Sequence, residues 1–454
     1  MKNSLIQKYN VPGPRYTSYP TVPYWDEADF SYEIWTETLK KSFIQSNGPE
    51  GISLYIHLPF CESLCTFCGC NKRITKNHSV ENPYIEAVLK EWTIYCKILG
   101  EKPTIKEIHL GGGTPTFFSP KNLEDLINGI FTSAKKAKNH EFSFEGHPNN
   151  TSHEHLQKLY DLGFRRVSYG VQDYSAKVQK AIHREQPFHN VAKVTLWARE
   201  IGYTSIGHDI IFGLPFQELE DIVDTIEKTK SLQPDRLAFY SYAHVPWIKG
   251  NGQRGFKDED IPKDDKKRML YETGKKLLFE NGYHEIGMDH FALKTDSLYD
   301  AFENGNLHRN FMGYSSSKTQ LMIGLGVSSI SDSWYSFAQN VKNLEDYYQI
   351  LEWDKLPVYR GHLLTNEDLI IRKHILNLMC QFVTSWENKE TYFEEIPEVL
   401  IQLKEMENDG LLIINKDSIQ VTDAGKPYVR NICMAFDLRL KRKTPDTQLF
   451  SMTI

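Results

Sequence analysis

Short apolar runs alternate with longer amphipathic stretches through the middle of the chain. Runs near 52–57, 104–110, 141–145, 166–169, 204–212 and 236–242 have strand length, and each is followed by polar or glycine-rich residues. Between most of them apolar positions recur at helical spacing, as in Ile85, Val88, Leu89, Trp92, Cys96 and Leu99. Repeated βα units of this kind predict an α/β fold with a parallel sheet, and right-handed crossovers curl that sheet into a partial or full (β/α) barrel. Ligands of such barrels sit at the carboxyl ends of the strands.

The alternation breaks at both ends. The stretch Val11-Pro-Gly-Pro14-Arg15-Tyr16-Thr17-Ser18-Tyr19-Pro20 holds too much proline for a helix or a central strand, so residues 1–50 read as an arm lying over something else. Its aromatics Tyr16, Tyr19, Tyr24 and Trp25, with Arg15, suit a substrate cover. From about Leu364, helical patterns at 367–382 and 398–408 precede a hairpin of 410–414 and 418–421, and Thr422 reads as the N-cap of a last helix. This order resembles a winged helix. The expected division is an arm (1–50), a barrel (51–363) and a mostly helical, winged-helix-like domain (364–454).

Composition narrows the function classes. At 454 residues, 40% hydrophobic and 25% charged, with a net charge of -6, the chain reads as a soluble globular protein with no basic footprint for nucleic acid. The stretch 397–410 carries Lys404 against Glu398, Glu405, Glu407 and Asp409, which favours a lid or packing role over DNA binding. No apolar run approaches the ~20 residues of a membrane helix, and no secretory signal is seen. A cytoplasmic monomer is expected.

Four of the seven cysteines lie in Cys61-Glu-Ser-Leu-Cys65-Thr-Phe-Cys68-Gly-Cys70, directly after the first apolar run. Three thiolates at C-x3-C-x2-C spacing can wrap three irons of a cubane cluster. The fourth iron is then open to an amino acid's amine and carboxylate, which S-adenosylmethionine offers beside a sulfonium that one electron can cleave. Zinc suits the loop less, because structural zinc sites draw ligand pairs from separated segments and Cys68 and Cys70 are too close to span a tetrahedral edge. Cys96, Cys380 and Cys433 stand singly in apolar helical patterns and read as core thiols. The loop resembles that of the radical S-adenosylmethionine enzymes.

Other polar residues collect at the predicted strand ends: Gly111-Gly112-Gly113-Thr114-Pro115, Glu145, Gln172 with Asp173, Asp209, and Ala243-His244. Three glycines let backbone N–H groups approach a ligand without Cβ interference. The spacing fits neither the dinucleotide fingerprint nor the P-loop. Glu145 and Asp209 can accept from ribose hydroxyls or an ammonium, and Arg184 can hold a carboxylate in two-point fashion.

Taken together, the arm LIQKYNVPGPRYTSYPT, the loop CESLCTFCGCNK, and GGGTPT, YGVQDY, HREQ, FGLP, YAHVP, GMDHFA, LHRNF, GLGVSSIS and RNICMAFD resemble the oxygen-independent coproporphyrinogen III oxidase family. A shorter relative, the haem chaperone, typically lacks the Cys70 equivalent and the proline-tyrosine arm. The resemblance implies that Cys61, Cys65 and Cys68 ligate a 4Fe-4S cluster, with Cys70 required nearby but not a ligand. It implies that Tyr55, Gly112, Glu145 and Ile330 hold the S-adenosylmethionine on the cluster, and that Phe67, Gly113, Thr114, Gln172, Arg184, Asp209 and Ala243 surround a second one. The implied reaction uses a 5'-deoxyadenosyl radical to turn two propionates of coproporphyrinogen III into vinyl groups, giving protoporphyrinogen IX. An electron donor and an electron acceptor are implied partners; a haem-binding carrier is the alternative. Arg15 and Arg309 are the candidate partners of the substrate's propionates. The chain departs from the family pattern at Gly146-His147, His183 and Met312, and 315–321 lacks expected acidic residues.

Overall fold

The computed structural model describes residues 2–246, 253, 255–443, 445 and 447–453. Its centre is a 12-stranded sheet. In chain order the strands are β1 (Ile52–Leu58), β2 (Thr104–Gly112), β3 (Lys135–Gly146), β4 (Phe164–Gln172), β5 (Ser205–Phe212), β6 (Arg236–Ser241), β7 (His284–Gly287), β8 (His290–Ala292), β9 (Met322–Leu325), β10 (Ile330–Asp332), β11 (Ser336–Asn340) and β12 (Val358–Leu363). Their spatial order is β12-β11-β10-β9-β1-β2-β3-β4-β5-β6-β8-β7, with β9 and β1 through β6 parallel and the outer strands antiparallel. The two outermost strands do not pair, so the barrel is partial. All six runs read from the sequence are strands. Helices α1 (Glu81–Leu99), α2 (Pro120–Thr132), α3 (His153–Asp161), α4 (Phe188–Ile201) and α5 (Leu219–Leu232) supply the crossovers.

Alternation along these strands sorts the side chains. Leu54, Ile56 and Leu58 of β1, Ile108 and Leu110 of β2, and Phe142 and Phe144 of β3 join a core cluster with Trp92 of α1 and Leu126 of α2. Burying each such side chain contributes about 1.5–3 kcal/mol. The opposite face is polar. Ser53 donates to Glu107 at 2.9 Å, His109 Nδ1 meets Ser143 Oγ at 2.8 Å, Arg166 donates to Ser143 at 2.8 Å, and Ser168 donates to Asp209 at 3.1 Å. Barrels of this class usually fill the lumen with Val, Ile and Leu; here that face carries hydrogen-bonded polar side chains.

Residues 32–46 are helical, and Trp35, Leu39 and Phe43 on one face enter the same core cluster as β1. Upstream, Tyr16 and Tyr19 are 2% and 1% exposed and pack with Ile371, Ile375 and Phe436. Arg430 fastens this segment by donating to the carbonyls of Pro14 and Met452 at 2.9 and 3.0 Å, and to that of Gly13. Beyond the barrel lie α6 (Asn366–Gln381), α7 (Ile396–Asn408) and α8 (Val429–Phe436), with a three-stranded sheet of Val383–Ser385, Ser418–Val421 and Leu412–Ile414. Thr422 does not cap the last helix: its hydroxyl accepts from Gly425 N–H at 3.1 Å and closes a turn ahead of it. Cys380 and Cys433 are buried and Cys96 is half-buried. No helix among the described residues is long and apolar enough to cross a membrane.

Candidate active site

A cavity of about 790 Å³ opens at the carboxyl ends of β1 through β5. Cys61, Cys65, Phe67, Cys68, Cys70, Gly112, Gly113, Thr114, Glu145, Gln172, Arg184 and Asp209 all line it. The ends of the cysteine loop are zipped together, Phe60–Cys61 pairing in parallel with Arg73–Ile74, so the loop stands over the cavity as a closed arch. Thr114 Oγ1 donates to Cys61 Sγ at 3.3 Å, and Arg184 Nη1 lies 3.7 Å from Cys65 Sγ. Lys72 Nζ donates to the carbonyls of Cys68 and Cys70 at 3.1 and 3.3 Å, placing positive charge beside the thiols.

These donors make the loop receptive to anionic sulfur. The Cys68 thiol is pushed down by its interaction with the Cys70 thiol, helped by Lys72 and Arg184. Cys70 is pushed up. Burial pushes Cys61 up to about 11, with Thr114 opposing. Among the described residues no three His, Cys, Asp or Glu side chains gather around one point to hold a single ion. A cubane takes one thiolate per iron, and three thiols on one arch suit it.

The strand ends supply the floor. Burial works to raise the Glu145 carboxyl, but the hydrogen bond and charge of His109, 3.4 Å away, hold it below its ordinary value. Burial, then the charge of Glu145, raise Asp209 to about 7. Arg184 is fixed by donating to Gly170 O at 2.7 Å and to Gln186 Oε1 at 3.2 Å. Gly112 has φ 110°, and a Cβ there would lie 2.6 Å from the His57 ring. The amides of Gly113 and Thr114 donate to the carbonyls of Leu58 and Phe60 at 2.8 and 3.0 Å. The triple-glycine loop therefore offers a ligand close backbone approach, but not those two N–H groups.

Compared with known proteins, the chain is 37% identical to the oxygen-independent coproporphyrinogen III oxidase of Escherichia coli (strain K12), over 99% of this chain and 98% of that protein. The enzymes of that name from Helicobacter pylori (strain ATCC 700392 / 26695) and Synechocystis sp. are 38% and 36% identical, covering 96% and 99% of this chain and 96% and 97% of their own. The chain belongs to the oxygen-independent coproporphyrinogen III oxidase family. The family model of the Radical SAM superfamily matches residues 55–229. A solved structure, titled as coproporphyrinogen III oxidase (HemN) from Escherichia coli and described there as a radical SAM enzyme, superposes with a TM-score of 0.88 at 35% identity, covering 96% of this chain and 98% of that one.

In this oxidase-family chain, five of the residues assigned a site role from the sequence stand outside the lining of this cavity: Tyr55, Ala243 and Ile330, and the two arginines Arg15 and Arg309. Tyr55 sits just below, its hydroxyl 3.0 Å from His57 Nδ1 and its ring stacked on His109. Ala243 edges the mouth through Gln253, whose Nε2 donates to Ala243 O at 2.8 Å and to Phe67 O at 3.4 Å. Ile330 opens β10, its backbone pressed against Gly324 of β9.

A second, smaller cavity of about 110 Å³ lies in the lumen and shares Glu145, Ser168 and Asp209 with the first. Its walls include His109, Arg166, Arg236, Tyr240, His290, Met312 and Tyr314. Neither Arg15 nor Arg309 lines either cavity. Arg15 pairs with Asp289, its guanidinium 5.9 Å from the Tyr240 ring centroid. Arg309, 4% exposed, lies 4.5 Å over the Tyr314 ring and donates to the carbonyls of Tyr16 and Arg15 at 3.3 and 3.2 Å. Both arginines thus stand directly behind aromatic walls of the lumen.

The departures fall into place. His147 lines the larger cavity, and burial followed by the charge of Arg184 pushes its pKa well down, so it adds no positive charge. His183 also lines it, at φ 50°, a conformation that asparagine and histidine adopt more readily than most residues. Met312 places an apolar side chain in the wall of the smaller cavity. His57 and His109 were passed over in the sequence, although their positions on the polar face of β1 and β2 were readable from the strand alternation.

Proposed function

We propose that this chain carries out the reaction of its family, the oxidative decarboxylation of two propionates of coproporphyrinogen III to the vinyl groups of protoporphyrinogen IX. The full-length match to the oxidases, with the cysteine arch over a strand-end cavity, carries this reading. A bound 4Fe-4S cluster with S-adenosylmethionine supplies a carbon radical able to remove a hydrogen atom from an unactivated C–H bond. Cys61, Cys65 and Cys68 hold the cluster, and Cys70 serves beside it without ligating iron. Tyr55, Gly112, Glu145 and Ile330 hold the S-adenosylmethionine at the cluster, and Phe67, Gly113, Thr114, Gln172, Arg184, Asp209 and Ala243 hold a second molecule. At each propionate, one hydrogen atom leaves the β-carbon; carbon dioxide and one electron then depart, leaving the vinyl group. That electron passes to an acceptor, and a separate donor reduces the cluster.

The arm covers the substrate and keeps water away, fastened by its own Tyr16 and Tyr19, which pack against α6 and α8. Arg15 and Arg309 back the lumen as partners for propionates. Arg309 Nη1 is buried without a hydrogen-bond partner, which leaves it donor capacity for a carboxylate. The protein works as a cytoplasmic monomer divided at about residues 50 and 363, its winged-helix-like end packing on the arm and not on nucleic acid.

The test is anaerobic incubation of the reconstituted protein with coproporphyrinogen III, S-adenosylmethionine and a reductant. Mass spectrometry should show two losses of carbon dioxide in step with methionine release. Tight haem binding with no vinyl product would overturn the reading in favour of a carrier.

A further inference from the structure

Two arginines face the lumen cavity, and their surroundings differ. Arg236 is neutralised: its Nε donates to Asp296 at 2.7 Å and its Nη2 to Ser297 Oγ at 3.0 Å. Arg166 donates one hydrogen bond, from Nη2 to Ser143 Oγ at 2.8 Å, and forms no ion pair among the described residues. Guanidinium carries five N–H donors in a planar fork, so most of those of Arg166 are unspent. An enclosed cation without a paired anion is costly, and such positions are kept for a ligand or paired within the protein. Burial, then the charge of Arg236, work against the charge of Arg166, while Glu107, Glu141 and Asp296 favour it from a distance.

We propose that Arg166 anchors a propionate carboxylate of the tetrapyrrole, one of those not reacting in a given turnover. A space of about 110 Å³ admits a side-chain arm and not a macrocycle, and its shared walls with the larger cavity provide the entry. From Arg166 a chain of hydrogen bonds runs through Ser143 and His109 to Glu145, with steps of 2.8, 2.8 and 3.4 Å. Occupation of the anchor is thereby linked to the carboxylate at the floor of the larger cavity. The assignment rests on the tetrapyrrole reading above; the methionine carboxylate of S-adenosylmethionine offers the same chemistry and is separated by the test.

The cluster-loaded protein is titrated anaerobically, by fluorescence, with coproporphyrin III and with its tetramethyl ester, in wild type, Arg166→Met and Arg166→Lys; S-adenosylmethionine binding is measured in parallel. Losing a charge-assisted pair should weaken coproporphyrin III binding roughly tenfold or more in Arg166→Met. Arg166→Lys should recover part of it, while the ester binds all three alike and S-adenosylmethionine binding is unchanged. Unchanged coproporphyrin III binding overturns the assignment, as does equal loss of acid and ester, which marks a packing role. Loss confined to S-adenosylmethionine transfers the anchor to that molecule and also overturns it. If wild type binds neither porphyrin, the tetrapyrrole reading itself fails, a result distinct from the others because it appears before any substitution.

Discussion

The outer and inner faces of β1 through β5 carry opposite chemistry on the same backbone. Outward, Leu54, Ile108, Leu110, Phe142 and Phe144 are fully or almost fully buried against the helices, and they hold the fold together. Inward, Glu107, His109, Glu145, Arg166 and Asp209 sit where other barrels place Val and Leu. That polar face is paid for by the outer one: burial drives Asp209 up to about 7 and raises Glu107 as well. Stability and function are therefore separable by side-chain parity along a strand.

The largest expected effect falls on the arch above the polar face. Cys61→Ala, Cys65→Ala and Cys68→Ala should each abolish iron loading, whereas Cys70→Ala should retain most iron but stop turnover. Iron and sulfide analysis decides it, and loss of iron in Cys70→Ala equal to the others would require a four-thiolate site. Thermal unfolding of the apo forms should change little, because Cys61, Cys65 and Cys68 are only half-buried and Cys70 is exposed.

That division also explains what was legible beforehand. The cysteine arch, the glycine loop and the six strands are local patterns, and each stands where the apolar runs and motif spacing put it. Of the lumen, Glu145 and Asp209 were legible at the strand ends and His109 was readable from the alternation, whereas Arg166 opened its run without any visible role. The surroundings of Arg309 were hidden for another reason. Its partners, the carbonyls of Arg15 and Tyr16, lie almost three hundred residues away in sequence. Thr422 misled because a threonine that closes a turn and one that caps a helix look alike until the helix start, Val429, is known.

Adjacent residues of β2 sharpen the comparison. Leu110→Ala, on the outer face, should cost about 2–5 kcal/mol of stability, read by chemical denaturation, with the remaining folded protein still loading iron. His109→Ala, on the inner face, should cost less stability but lower kcat/KM at least tenfold, by removing the hydrogen bond that orients Glu145 and holds its carboxyl below its ordinary value. Equal destabilisation by the two would break the parity rule.

A carboxylate in the outer layer tests the rule from the other side. Burial raises Glu91 to about 7, although Gly326 N–H, Tyr347 and Asn340 donate to it at 2.8, 2.7 and 2.7 Å. Its folded pKa lies above the unfolded one, so its contribution is fully present below the unfolded value and is lost as pH rises through about 7. The shift corresponds to a loss of about 3 kcal/mol at most. Thermal unfolding between pH 5 and 8 should show Tm falling up to about pH 7 and levelling above it, with a flatter slope in Glu91→Gln. The smallest effect is expected at the exposed pair of Lys121 and Asp125, where Lys121→Ala should leave Tm unchanged within error.

The central claim is that a hydrogen atom leaves the β-carbon of a propionate held in the cavity beneath the cysteine arch. Coproporphyrinogen III deuterated at the propionate β-carbons tests it directly, in an anaerobic turnover followed by mass spectrometry of the nucleoside product. The account predicts deuterium in 5'-deoxyadenosine, in proportion to the vinyl groups formed. Vinyl product accompanied by unlabelled 5'-deoxyadenosine would contradict it.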